Sequence, residues 1–345
     1  MSIQSGNGKP RVTVVTVPRD HFSMAVESLD SILANTDVPF ELVYVDGNSP
    51  RKVGQEIAGR ARDHGFRLLR TDRYLSPNEA RNIGVREVDT EFVVFVDNDV
   101  IVDPGWLGAM IECADETGAA LVNPLTCEFD SDTIHFAGGS VEVEEEQEDA
   151  EVARHVRERM HFPQRKIEDV KDKLKREECE LCEFHTVMAR TSIFDETGPF
   201  DEQMFNTREH LDFSLAVAKA GGTIWFEPTS KVVYRPPTPL TPSDLHFFCL
   251  RWSDEWERRS LDRFREKWDL ANDEFFQRRM GRLGWRRQQH VVPPIVRRLS
   301  FGRGSQKKLI ERAKPLERRV NRIITARHRR HEQAPAQPER VTTAV

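Results

Sequence analysis

Nowhere do the 345 residues hold an apolar run of the roughly 18 residues that a membrane-spanning helix needs, so none is expected. Residues 1–10 are polar and carry Gly and Ser, without the apolar stretch of a secretory signal, so they read as a flexible N-terminus and a cytoplasmic location is expected. Cysteine is scarce. Five, scattered and odd in number, exclude a disulfide framework and fit a reducing compartment. Cys179 and Cys182 form a single C-x-x-C with no second pair, which does not assign a metal or redox role. The net charge of -6 is too mild to imply a nucleic-acid partner. No G-x-G-x-x-G follows the first apolar run, where Val17-Pro18-Arg19-Asp20 stands instead, so a dinucleotide oxidoreductase is disfavoured. Internal repeats are absent too.

What is present is alternation. Residues 11–17 (RVTVVTV), 40–45 (FELVYV), 66–70 and 91–96 (EFVVFV) are short apolar runs with β-branched or aromatic residues, the composition of buried strands. Between them, residues 22–34, 53–64 and 78–88 carry apolar side chains at helical spacing. Further strands are expected at 184–190 and 223–226, with a helix at 211–220 stopped by Gly221-Gly222. This order predicts an α/β fold with a mainly parallel sheet flanked by helices. Ligands in such folds bind beyond the carboxyl ends of the strands, where Asp46 and Asp97 to Asp99 fall.

Charge is segregated along the chain. Seven acids and no Lys or Arg lie in residues 142–151, and residues 277–330 hold eighteen Lys or Arg against two acids. Residues 141–178 read as a charged insertion within a domain of residues 11–240, and 160–178 is expected to be helical. After Pro236-Pro237-Thr238-Pro239, residues 241–331 read as a helical, basic extension, with its aromatics between 247 and 268 taken as packing. Residues 332–345 are expected to be disordered.

Asp97 and Asp99 flank one amide at the end of a strand. Carboxylates at i and i+2 can turn toward one ligand, and Mg²⁺ or Mn²⁺ on a diphosphate takes only one or two of its oxygens from protein. A merely polar turn would look the same. Its surroundings add a resemblance. Asp46-Gly47-Asn48-Ser49, Asn78-Glu79-Ala80-Arg81-Asn82-Ile83-Gly84, Phe95-Val96-Asp97-Asn98-Asp99 and Gly198-Pro199-Phe200-Asp201-Glu202 follow in order. Together they resemble the family-2 glycosyltransferases, inverting enzymes of the GT-A fold, from residue 11 to 235. The resemblance implies sugar transfer from a nucleoside diphosphate (UDP-, GDP- or dTDP-linked) to a hydroxyl of a glycan or lipid-linked acceptor, assisted by Mn²⁺ or Mg²⁺. It implies a nucleotide-sugar site of Val17, Pro18, Asp46, Arg81, Asp97, Asn98, Asp99 and Arg235, with Asp99 and Asp97 on the metal. Asp46, an acceptor-only carboxylate, would take a nucleobase imide N–H.

The base falls in Arg208-Glu209-His210-Leu211-Asp212, where the family has Glu-Asp-x-Asp. Glu209 ranks first, then Asp212, then His210, whose neutral imidazole also suits base work near pH 7. The family's histidine after the last strand is missing from Lys231-Val232-Val233-Tyr234-Arg235, and Arg235 is expected to supply charge to the diphosphate instead. These two departures leave open a non-catalytic protein that binds nucleotide sugars and has lost the base. The basic extension carries apolar residues among its charges, which suits an anionic membrane surface or a helical face packed on protein.

Overall fold

Six consecutive buried positions make β1 (Val12–Val17), with Val12 and Val14 facing one side of the sheet and Val15 and Val17 the other. A strand covered on both faces has to be apolar throughout, and its neighbours β2 (Phe40–Asp46), β3 (Arg67–Arg70) and β4 (Phe92–Asp97) follow suit. A computed structural model describes residues 10–128, 131–148, 151–234, 240–301, 305–332 and 339–340. In it β3, β2, β1 and β4 form a parallel block in that order, crossed by α1 (Ala25–Asn35), α2 (Arg51–His64) and α3 (Pro77–Val85).

The chain then runs through β5 (Val100–Val102), α4 (Trp106–Thr117), β6 (Leu121–Glu128) and β7 (Ile134–Phe136). A hairpin of β8 (Gly139–Glu148) and β9 (Glu151–Met160) stands off the main sheet. After it come α5 (Ile167–Val170), β10 (Glu177–Cys179), β11 (Thr186–Arg190), α6 (Ile193–Thr197), α7 (Glu209–Lys219) and β12 (Ile224–Tyr234). β11 pairs antiparallel with both β4 and β6, and β12 runs parallel to β6, so the sheet continues past β4 to β10 at its edge.

Gly84 is required by the close approach of α3 to β1, since a Cβ there would lie 2.2 Å from Val15 Cγ1. Ser76 caps α3 by accepting from the Glu79 amide, with Pro77 at the first helical position. The other side of α3 holds the turn before α7: Asn82 Nδ2 donates to Phe200 O at 2.9 Å, and Asn78 Nδ2 donates to Asp201 O at 2.9 Å.

The C-terminal part is helical, as expected: α8 (Pro242–Arg251), α9 (Asp254–Lys267), α10 (Glu274–Met280), α11 (Trp285–His290), α12 (Val292–Leu299) and α13 (Gln306–Glu332). Asp244 in the capping box of α8 accepts from Ser23 N and Ser23 Oγ at 2.8 Å each, fastening these helices to the loop after β1. Buried Arg287 then joins α11 to Asp254 of α9 and Glu317 of α13. Phe247, Phe248, Trp256 and Phe264 are buried packing residues.

One expectation is corrected. Residues 160–178 are not a helix; they hold the last residue of β9, the single turn α5 and strand β10. Ile167, Val170 and Leu174 have helical spacing, but the Ile167 amide donates to Asp132 O and Glu177 to Cys179 pair with β12, so the backbone is satisfied elsewhere. The acidic run is one strand of a hairpin, whose acids face bases of β9: Glu142 lies opposite Arg157 and Glu145 opposite Arg154. Of the tail 332–345, Glu332 ends α13 and Glu339–Arg340 (β13) pairs antiparallel with β3, while residues 333–338 and 341–345 lie outside the described residues. Residues 1–9 and Arg235 lie outside the described residues.

Candidate active site

Strand β4 ends by delivering three buried polar residues, Asp97, Asn98 and Asp99, to one edge of the sheet. Backbone and side-chain bonds lock them there. The Asp97 amide donates to His185 O at 3.0 Å and the Asn98 amide to Val17 O at 2.9 Å. The loop after β1 closes over them: Arg19 N donates to Asn98 Oδ1 at 2.8 Å, and Asp20 N donates to Asp99 Oδ2 at 3.2 Å. Val17 and Pro18 therefore shape this end through backbone and packing.

Charges fill the space around the turn. Arg19 stands 3.3 Å from Asp97 and 3.5 Å from Glu209, bridging the two. Arg81 lies 3.5 Å from Asp97, fully buried, with its guanidinium 3.8 Å over the Phe184 ring. Its charge is thus turned to Asp97, inside the fold. Asp20 accepts from Trp252 Nε1 at 2.9 Å and pairs with buried Arg251 at 2.9 Å. Three buried guanidinium groups, Arg19, Arg81 and Arg251, face the five carboxylates Asp20, Asp97, Asp99, Glu183 and Glu209.

Burial first, and then these charges, set the proton affinities. Burial, then the negative charges of Asp97 and Asp20, push the Asp99 carboxyl up to about 8. Burial also raises Asp97, and Arg19 and Arg81 offset it only in part. Burial acts on Glu209 the same way, but Arg19, Arg251 and Arg81 overcome it and hold that carboxyl below its usual range. Glu209 is therefore ionised at neutral pH, and its Oε2 has no hydrogen-bond partner.

A cavity of about 200 Å³ opens beside Glu209, with Arg19, His210, Glu183, His185 and Tyr234 among its walls. The hairpin adds Glu158 and Met160, and the C-terminal helices add Trp252 and Arg286. Helix α7 separates the three candidates for a base. His210 Nε2 lies 3.3 Å from Glu158 Oε1, on the hairpin side. Asp212 is turned to α9, accepting from Lys267 Nζ at 2.9 Å and Trp268 Nε1 at 2.8 Å. Only Glu209 of the three combines a free oxygen with contact to the Asp97 cluster.

Asp46 lies apart, two strands over at the end of β2. Its oxygens accept from Ser49 N at 2.8 Å, Ser49 Oγ at 2.9 Å and the Arg70 guanidinium, so the turn is held by its own side chain and closed by a cation. A second cavity, of about 510 Å³, lies beside this turn and is lined by Asn48, Ser49, Arg70 and Tyr74.

The sequence reading missed Arg19, Asp20, Glu183, His185, Arg251 and Arg286. Two signals were available: the charged trio Arg19-Asp20-His21 after an apolar strand, and Glu183-Phe184-His185 directly before one. The pair Cys179 and Cys182 is buried, and burial pushes both thiols up to about 12, as for inert core cysteines.

Residues 13–198 match the family model described as glycosyl transferase family 2. Uncharacterized protein y4gI of Sinorhizobium fredii (strain NBRC 101917 / NGR234) is 31% identical over 119 residues, which are 33% of this chain and 13% of that protein. Among solved structures, GalNAc-T7 with UDP, GalNAc and Mn²⁺ aligns at a TM-score of 0.50 and 15% identity, over 83% of this chain and 59% of that one. S. aureus TarS 1-349 aligns at a TM-score of 0.47 and 14% identity, over 93% of this chain and 92% of that one.

Proposed function

Since the chain belongs to glycosyl transferase family 2, we propose that it moves a sugar from a nucleoside diphosphate to an acceptor hydroxyl with inversion, using Glu209 as the base. The observation that carries this reading is Arg19, which ties the ionised, half-free Glu209 carboxylate to the Asp97 end of the sheet.

The acceptor hydroxyl would hydrogen-bond to Glu209 Oε2 in the cavity. As its oxygen attacks the anomeric carbon, its proton passes to Glu209, and the bond from that carbon to the diphosphate breaks on the opposite face. Arg19 holds the Glu209 carboxylate through its other oxygen. Arg286, at the cavity wall, would attract the diphosphate in the role expected of Arg235.

The Asp97 turn suits a divalent cation. Asp99 Oδ1 and both Asp97 oxygens are buried without a hydrogen bond, and the surrounding carboxylates outnumber the guanidinium groups. Asp99 and Asp97 would hold Mn²⁺ or Mg²⁺, whose Lewis acidity stabilises the charge on a leaving diphosphate. A nucleotide in the large cavity beside Asp46 would bring its base to that turn, with UDP-, GDP- and dTDP-linked donors all in scope. GalNAc-T7 was solved with UDP and Mn²⁺, which agrees with this donor class.

The test is transfer and donor hydrolysis by Glu209→Gln. Turnover should fall by about 10²–10⁴-fold with donor binding retained. Unchanged turnover would remove Glu209 from the reaction. A wild-type chain that binds nucleotide sugars but neither hydrolyses nor transfers them would favour the non-catalytic reading.

The acceptor is taken to be membrane-associated. On α13, Leu316, Val320 and Ile323 are 66%, 48% and 49% exposed at i, i+4 and i+7, with Arg312, Arg319 and Arg327 on the same stripe. The helix instead buries the polar side chains of Asn321, Thr325 and His328. Leu299 and Phe301, next to Arg297 and Arg298, are 75% and 87% exposed. An apolar stripe ringed by arginine fits an anionic bilayer lying along it, at the inner face of a membrane. No helix among the described residues is long and apolar enough to cross one. Co-sedimentation with phosphatidylserine vesicles but not with phosphatidylcholine vesicles is expected, and should be lost in Leu316→Glu/Val320→Glu. Equal binding to both vesicles, or to neither, would refute it.

A further inference from the structure

One group of side chains on the cavity wall carries out no step of the transfer above, although Glu183 adds its charge to the cluster. Among the described residues, His135, Glu183 and His185 each bring one ligand atom to within 4.8 Å of the others. They come from separate places in the sequence. His135 sits on β7, and Glu183 and His185 lie on the segment leading into β11. The sheet draws them together because β7 pairs with β6, and β6 pairs in turn with β11.

The group is built rather than incidental. The two imidazole rings lie 4.8 Å apart and nearly perpendicular, and the Tyr234 ring packs 4.0 Å from His185 and 5.3 Å from His135. His185 is 3% exposed, and its Nε2 is buried without a hydrogen-bond partner. Its Nδ1 lies against the Glu183 carboxylate, and His135 Nδ1 stands 3.5 Å from Glu128 Oε1. A buried imidazole nitrogen left unpaired is costly unless something accepts its lone pair. Neutral imidazole, with a lone pair on one ring nitrogen, is the form that binds metal.

We propose that His135, Glu183 and His185 form a divalent-cation site, separate from Asp97 and Asp99, that takes Zn²⁺ in preference to Mg²⁺. Ligand atoms no more than 4.8 Å apart fit within about 2.8 Å of a common point, about 0.6–0.8 Å beyond the bond lengths Zn²⁺ makes to nitrogen and oxygen. Small side-chain rotations close that gap. Two imidazoles and one carboxylate suit Zn²⁺ or Co²⁺, whereas the all-oxygen set of Asp97 and Asp99 suits Mg²⁺ or Mn²⁺. Three protein ligands leave a fourth position, and all three residues line the cavity that Glu209 also lines. That open position would take a polar group of the acceptor. This last clause rests on the proposed transferase reading; the cation site itself does not.

The experiment uses the full chain freed of metal by chelation. Zn²⁺ is titrated by calorimetry in excess Mg²⁺, and Co²⁺ by visible absorption. One equivalent of each should bind, and Co²⁺ should show the intense bands of a low-coordinate nitrogen-oxygen site. His135→Gln, whose ring is partly exposed and whose loss should spare the fold, is expected to weaken Zn²⁺ at least about tenfold, as is Glu183→Gln. Circular dichroism confirms that each variant is folded. Asp99→Asn should keep Zn²⁺ binding while losing Mn²⁺-dependent nucleotide binding. Absence of Zn²⁺ binding in the wild type would overturn the proposal. So would Zn²⁺ binding that survives His135→Gln and Glu183→Gln, or that vanishes in Asp99→Asn alone. Failure of the transferase reading shows separately, as absent nucleotide binding with Zn²⁺ still bound.

Discussion

Asp99 carries its proton at pH values where an ordinary carboxyl has lost it, because burial and its two acidic neighbours disfavour the anion. The folded chain thus holds a proton that the unfolded chain releases above its ordinary value of 3.8. Stability contributed by this group is full below that value and is lost as pH rises toward about 8, at no more than about 1.4 kcal/mol per pH unit. The metal-free melting temperature should therefore fall between pH 6 and about pH 8, and Asp99→Asn should flatten that slope. A cation at Asp99 displaces the proton, so Mn²⁺ affinity should rise with pH over the same window. A flat melting curve in the wild type would show that Asp99 is not the titrating group. At this scale the sequence was legible where chemistry is local. Asp97 and Asp99 share a strand end, and the resemblance named Glu209. Arg19 was not legible, because its partners Asp97 and Glu209 are brought to it only by strand pairing and by α7.

Helical phase explains how α7 sorts its candidates. Glu209 and Asp212 stand at i and i+3, and side chains at that spacing share a broad face, so sequence alone kept both in play. In the fold, the C-terminal helix α9 claims Asp212 through Lys267 and Trp268. Asp212→Asn should cost roughly 1–3 kcal/mol of stability by weakening those bonds, while donor binding persists. Chemical denaturation beside nucleotide titration reads both, and a loss of turnover without a loss of stability would return Asp212 to the reaction. Strands and helices with a clear period, such as 11–17 and 53–64, appeared where the apolar pattern put them. The hairpin β8–β9 did not. Its one apolar face, Val141, Val143 and Val156 packed on the core, is short and set among exposed pairs such as Glu144 with Arg157 and Glu145 with Arg154, so the charge outweighed the alternation in the sequence. Gly84 could be read as part of a motif, but its reason, contact with Val15, needs the packed structure.

Over the whole molecule, one cavity is walled by three parts that the sequence presented as separate: the sheet edge, the charged insertion and the basic extension. Composition divided them because their solvent-facing surfaces differ, whereas a shared apolar cluster, with Phe136, Val141, Val156, Leu211, Leu261 and Phe264, and a few buried polar contacts unite them. The loop after β1 carries the most telling of these. Trp252→Phe should leave α8 packed but remove the Nε1 bond to Asp20. Because the Asp20 amide also holds Asp99, nucleotide affinity should weaken several-fold, with a stability loss of about 1 kcal/mol. Equal nucleotide affinity in the two proteins would show that the extension is only a buttress.

Asp20 joins these two ends with one residue: its amide reaches Asp99, and its carboxylate reaches Arg251 and Trp252. If a shift at one end is passed to the other through Asp20, thermodynamic reciprocity makes the coupling equal in both directions. If a charged surface engages the helices beyond α8 and strengthens donor binding by some factor, then donor binding strengthens the grip on that surface by the same factor. The chain would then load its sugar where its acceptor lies and let go once the nucleotide leaves.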